Sequence, residues 1–369
     1  MSCARAALSH AWPLGRCPGR AHSLGMTDTP ILRTQPLGPL WPTMDPFLFC
    51  AHHDDAYPAG DGAQGVPAAA LGGRALGSDF SRQDGFSMYH GERVPGFPVH
   101  PHRGFETVTL VRRGLIDHSD SLGAAARFGG GDVQWLTAGR GIQHAEMFPL
   151  LNASAPNPLE LFQVWLNLPA RSKMAAPHFT MFWNERIPRL EHVDAEGHAT
   201  LVRVVAGALP GAGAPLAPPP ESWASSPDAD VAIWTLQLAP GARWTLPRAA
   251  GSATQRMLYF FVGSGLQIGP VAVREHAALH VDATQDCELR NLGRDTVECL
   301  VLQGRPLGES VAQYGPFVMN TQAEIMQALQ DYRRTKFGGW PWSAPGPVHG
   351  SAPRRFARHP GAQTDVLPA

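Results

Sequence analysis

The chain has 369 residues, enough for two domains and a sizeable core that needs no disulfides. Charged residues make up only 17% of it, against about 25% in typical globular chains, while 39 Gly and 35 Pro together supply a fifth of the sequence. That composition excludes a helical bundle or coiled coil and favours short strands joined by turns. A net charge of −1 leaves no basic footprint and argues against direct binding to nucleic acid or to an anionic membrane.

Residues 1–25 carry Arg5, Arg16 and Arg20 but no acidic residue, no apolar h-region and no small-residue cleavage site. They read as a non-native or disordered extension, with translation beginning at Met26. From Phe97 to about Leu168 the pattern is of strands: Phe105–Val111, Asp132–Leu136 and Leu159–Leu166, punctuated by Gly114, Gly123, Gly129 to Gly131, Gly139 and Gly141. A second β region follows from about Thr200, with strands at Val231–Leu238, Met257–Val262 and Cys299–Leu302. Six prolines between Pro210 and Pro227 make the stretch from Leu209 to Pro227 a loop. Leu110–Gly114 followed by Gly123 parallels Phe261–Gly265 followed by Gly269, a weak internal repeat. Thr321 and Glu324 form a capping box that opens one helix, with Ile325, Ala328, Leu329 and Tyr332 on one face.

The expected organisation is all-β: a metal-binding barrel or jelly roll over 26–190, a second barrel without metal over 191–310, a helical segment over 311–342 and a disordered tail over 343–369. Cys3, Cys17, Cys50, Cys287 and Cys299 form no CxxC pair and are odd in number, which argues against a disulfide framework. Gly, Pro or charge interrupts every apolar run well short of the about 20 residues of a membrane span, so the expectation is a soluble, cytoplasmic protein. Only Lys173 and Lys336 are lysine, leaving few candidates for lysine chemistry.

The densest set of coordinating side chains is His100-Pro-His102, answered by His144-Ala-Glu146. Both pairs have i, i+2 spacing, which on a strand directs both members to one face. If the two strands are neighbours, three imidazoles and a carboxylate converge. Such a set suits a first-row divalent metal and is too rich in nitrogen for Mg or Ca. Four protein ligands on an octahedral ion leave two positions for substrate and O2. The adjacent His52 and His53 point to opposite faces of a strand and have no equal claim. Phe97, Phe105, Trp135 and Met147 lie near the ligands in sequence and are candidates to line a pocket.

Pro98–Val108 and Gly131–Met147 resemble the two hallmark stretches of the pirin family, bicupins of the cupin superfamily, and similarity extends through Leu161–Leu168 and Gly315–Thr321. The resemblance runs from about Trp41 to Trp342 and implies two cupin domains packed together with a C-terminal helix. Carried over residue by residue, it makes His100, His102, His144 and Glu146 the ligands of a non-haem iron. Fe(II) is the metal implied first, with Cu, Ni, Mn, Co or Zn as alternatives. The general cupin pattern places a ligand Glu where Glu106 stands; the pirin pattern uses Glu146 and leaves Glu106 as a supporting strand residue. The second domain has Leu246–Ala250 where the first has its HxH, and is expected to bind no metal.

The function implied is a dioxygenase of the quercetin 2,3-dioxygenase type, with a small aromatic substrate and O2 as reactants and Glu146 as a catalytic base as well as a ligand. The rival implication is an iron-dependent redox-sensing regulator or transcriptional cofactor, which acts through a protein partner and makes no contact with nucleic acid.

Overall fold

The computed structural model describes residues 29–361 and the backbone of 364–366. The expected extension over 1–25 lies outside the described residues. Two compact units divide the chain, and neither is continuous in sequence. Of the described residues, one comprises 29–47, 187–217 and 223–308; the other comprises 48–186, 218–222 and those from 309 onward.

The unit that contains the HxH motif is built from β2 (Phe47–Tyr57), β3 (Gly96–His102), β4 (Phe105–Arg113), β5 (Leu115–Asp120), β6 (Ala125–Gly129), β7 (Val133–Thr137), β8 (Ile142–Met147), β9 (Asn157–Asn167) and β10 (His178–Phe182), β1 (Ile31–Pro36) belonging to the other unit. Strands β10-β7-β4-β9-β2 form one antiparallel sheet, and β6-β5-β8-β3 run in that order through a second. Alternation along each strand fills the interior with Val111, Ile116, Phe128, Leu136, Ile142 and Leu161. Each such side chain contributes about 1.5–3 kcal/mol by leaving water. Glycine is required at the corner between β3 and β4: Gly104 has φ +86°, and a Cβ there would meet the Val318 carbonyl at 1.9 Å.

The other unit holds β11 (Arg189–Val193), β12 (Ala199–Ala206), β13 (Ala232–Leu238), β14 (Arg243–Leu246), β15 (Gln255–Val262), β16 (Leu266–Ile268), β17 (Val271–Val273), β18 (Ala277–Val281), β19 (Cys287–Asn291) and β20 (Val297–Gly304). Its sheets run β1-β18-β15-β20-β13-β12-β11 and β14-β19-β16-β17. No strand interrupts the proline-rich stretch between β12 and β13. The strand–glycine–strand rhythm recurs with a shift: β4 turns through Gly114 into β5, and β15 turns into β16 through Gly263, not the Gly265 that the sequence parallel aligned with Gly114, both glycines at positive φ.

Two boundaries differ from the expected ones. Ile31–Pro36, assigned by sequence order to the first barrel, pairs with β18 of the second. The tail is not disordered over its described part. After β21 (Ala312–Tyr314), β22 (Phe317–Met319) and the capped helix α1 (Gln322–Thr335), the chain crosses the sheet that carries β8 and adds β23 (Phe356–Arg358) beside β6 and β24 (Thr364–Val366) beside β23. Composition missed this because the tail is held by hydrogen bonds rather than apolar periodicity. Val99 N–H donates to the Pro345 carbonyl at 2.7 Å, Trp342 Nε1 to the Asp120 carbonyl at 2.8 Å, and Gln143 Nε2 to the carbonyls of Lys336 and Gly339. Arg127, fully buried, forms a bidentate pair with Asp117 at 2.7 and 2.6 Å and donates to the carbonyls of Gly350 and Ala352. A buried ion pair whose spare donors meet tail carbonyls is one whose desolvation is compensated only with the tail in place. Among the described residues no helix is long and apolar enough to cross a membrane.

Candidate metal centre

Strands β3 and β8 pair with His100 opposite His144. A register shift between Phe97 and His100 resets the alternation, so Phe97, His100 and His102 share the face that His144 and Glu146 occupy on β8. The imidazoles converge: ring centroids are 4.4 Å apart for His100 and His144, and 4.8 Å for His102 with each of the others. One ring nitrogen from each lies within 4.8 Å of the other two.

His100 Nδ1–H donates to the Pro98 carbonyl at 2.9 Å, which fixes its tautomer and leaves Nε2 as an acceptor. Both nitrogens of His144 and Nδ1 of His102 are buried without a hydrogen-bond partner. Buried polar atoms are rarely left so, and three orphaned nitrogens on two adjacent rings fit a cation as the missing partner. Burial pushes the imidazole pKa of His100 down to about 4 and those of His102 and His144 well below the usual range, with repulsion from neighbouring imidazoles adding to it. All three are therefore neutral at neutral pH, the state in which imidazole offers its lone pair to a metal.

Glu146 shares the face but lies outside that trio. Its Oε2 accepts from Gln163 Nε2 at 2.8 Å, and its Oε1 is 2.9 Å from Thr109 Oγ1, which is also 2.7 Å from Gln163 Oε1. The single Thr109 hydroxyl proton serves only one of these oxygens. Burial pushes the Glu146 pKa up, while His118 and the hydrogen bonds from Thr109 and Gln163 pull the other way.

The family profile described as Pirin matches residues 33–166, and the one described as Pirin C-terminal cupin domain matches residues 233–338. Together they take in most of the chain. The chain belongs to the pirin family. Human pirin is 32% identical over 258 residues, covering 69% of this chain and 81% of its own. A Pseudomonas aeruginosa protein named "Putative quercetin 2,3-dioxygenase" is 37% identical over 242 residues, 66% of this chain and 79% of that one. The crystal structure of a quercetin 2,3-dioxygenase from Acinetobacter baumannii superposes with a TM-score of 0.59 at 27% identity, covering 84% of this chain and 96% of that one.

Within this pirin, Glu106 is turned away from the imidazoles. It alternates with Thr109 along β4, is fully buried, and accepts from Thr137 Oγ1 at 2.7 Å and Ser222 Oγ at 2.5 Å. Of the four candidate lining residues, Phe105 packs on His102 at 5.0 Å and Phe97 on His100 at 6.3 Å. Trp135 instead faces Phe182, and Met147 abuts Gly346 of the tail, because alternation sends both to the outer faces of their sheets.

Sequence reasoning missed His118, Thr109 and Gln163. His118 sits opposite Glu146 on β5, its ring 5.6 Å from that of His144 and stacked on Phe179. Thr109 and Gln163 belong to no i, i+2 coordinating pair in the sequence, and His118 lies outside the two pairs singled out there; only pairing in the sheets brings them to the site. Among its described residues, the other unit fills its interior with apolar side chains. Its strands point Trp244, Leu246, Leu258, Phe260, Leu279 and Val301 into an apolar core. A second cluster there, Asp194, Glu196 and His198, caps the β11–β12 turn, with Asp194 accepting from the backbone N–H groups of Glu196, His198 and Arg243.

Proposed function

We propose that this chain is a metal-dependent dioxygenase of the quercetin 2,3-dioxygenase type, opening the heterocycle of a flavonol with O2 and releasing carbon monoxide. The observation that carries the reading is the set of three neutral, buried imidazoles with orphaned nitrogens within 4.8 Å of one another. His100, His102 and His144 would hold the ion, with Glu146 as the fourth ligand. Fe(II) suits three nitrogens and a carboxylate, although affinity alone ranks copper above it, so availability decides. A bound first-row ion supplies Lewis acidity and the redox chemistry toward O2 that side chains lack.

The chain's own residues supply the rest. Glu146 is the group that accepts the substrate's hydroxyl proton, at Oε1, where the Thr109 hydroxyl can turn to either neighbour. Gln163 fixes the carboxyl plane through Oε2. Phe105, fully buried against the His102 ring, excludes water on the barrel side. His100, Phe97, Gln163 and Trp165 are only partly buried, and they mark the side from which substrate enters.

Protein loaded anaerobically with Fe(II) is expected to consume O2 on addition of quercetin and to release carbon monoxide in equal amount. Full metal occupancy with no turnover of any flavonol overturns the dioxygenase reading.

A further inference from the structure

His53 lies on the inward face of β2. Its neighbour His52 faces the other way, stacking on Phe162 and bonding Glu160, whereas His53 meets Tyr89 at 4.8 Å and Phe97 at 6.0 Å between ring centroids. Phe97 in turn reaches His100 at 6.3 Å, so one phenyl ring spans the interval between His53 and the imidazole trio.

A chain of hydrogen bonds sets the state of His53. Ser87 N–H donates to Asp55 Oδ1 at 2.9 Å, and Tyr89 O–H donates to Asp55 Oδ2 at 2.7 Å. Tyr89 has spent its only proton on the carboxylate, so His53 Nδ1, 2.7 Å from the phenolic oxygen, must be the donor there. Nε2 is then an acceptor, and among the described residues nothing bonds it. Tyr89 is held for this role against a backbone preference: its φ is +56°, fixed by reciprocal backbone hydrogen bonds with Asp79 at 2.7 and 2.8 Å. Burial pushes the His53 pKa down to about 3, so the ring is neutral. Nε2 of the neutral ring therefore presents a lone pair, and the group it recognises is a hydrogen-bond donor.

We propose that His53, locked by Tyr89 and Asp55, is a specificity-determining residue that accepts a hydrogen bond from a phenolic hydroxyl at the far end of a flat aromatic substrate whose near end meets the imidazole trio. The assignment rests on the dioxygenase reading and adds to it the residue that tells flavonols apart by an outer-ring hydroxyl.

The test uses the full, Fe(II)-loaded chain with two substrates, quercetin and 3-hydroxyflavone, which lacks the outer hydroxyls. His53→Phe is expected to raise KM for quercetin about 5- to 10-fold, the loss of one hydrogen bond, with kcat and the KM for 3-hydroxyflavone within twofold of wild type. His53→Gln, which keeps an acceptor, restores part of the difference. Independently of turnover, 15N NMR of the His53 ring is expected to show the Nδ1–H tautomer in wild type and its loss in Tyr89→Phe. Equal effects on both substrates, or none, overturn the assignment and leave the dioxygenase reading standing. Wild-type protein that turns over neither substrate overturns both.

Discussion

The two barrels share a strand rhythm and differ in what fills them. In residues 187–308 the interior is a continuous apolar cluster, and Leu246, at the position that best matches the HxH motif, is fully buried within it. In residues 48–186 the equivalent space is divided between an apolar end around Ile116, Phe128 and Leu161 and a polar end where His100, His102, His118, His144 and Glu146 meet. A barrel packed to native density is a core and has room for nothing else. One whose inner face carries orphaned imidazoles has given up part of that stabilisation for chemistry, and has to recover it elsewhere. The outer face of the β6-β5-β8-β3 sheet is where the recovery is visible, in Arg127, Asp117 and the tail that covers them.

The contrast breaks most visibly if the apolar barrel is hollowed. Leu279→Ala is expected to lower stability by about 2–5 kcal/mol, as buried Leu truncations do, while metal content stays at the wild-type level. Denaturant unfolding with metal analysis on the same sample checks both halves. His102→Ala is expected to do the converse: metal affinity falls by more than the about 10- to 100-fold that loss of a supporting residue produces, as measured by competition with a chromophoric chelator. Retention of wild-type metal content in His102→Ala would show that the imidazole trio is not the site.

The smallest effect sharpens the account of Glu106. Its carboxyl is raised by burial to about 7 from an ordinary value near 4.5. The folded protein therefore binds this proton more tightly than the unfolded chain, and the stabilisation it brings is complete below pH 4.5 and is lost as pH rises toward 7. The buried imidazoles, whose values are lowered, tilt stability the other way, so the informative quantity is a difference. Wild type minus Glu106→Gln is expected to decline between pH 4.5 and 7 in thermal unfolding, and a flat difference would place an ionised carboxylate between Ser222 and Thr137.

Much of this was legible in one dimension. The i, i+2 spacings at His100 and at His144, the glycine corners, the Thr321 capping box and the proline loop are local patterns, each enforced by the geometry of a few consecutive residues, and the structure bears them out. The two hallmark stretches identified the family for the same reason. What stayed hidden depends on partners far apart in the chain. The face of His53 followed from its strand, but its tautomer needs Tyr89, 36 residues on. Thr109 and Gln163 are unremarkable until β4 and β9 set them side by side and put Glu146 between them. The tail looked unstructured because its anchors are carbonyls meeting Arg127 and Gln143, and backbone acceptors leave no mark in composition. Sequence alone determined which residues could coordinate and on which strands they lie, since strand alternation is a local rule. Only the tertiary structure decided which of them meet, which proton each carries and what covers them, because burial and hydrogen-bond partnership are properties of the assembled sheets.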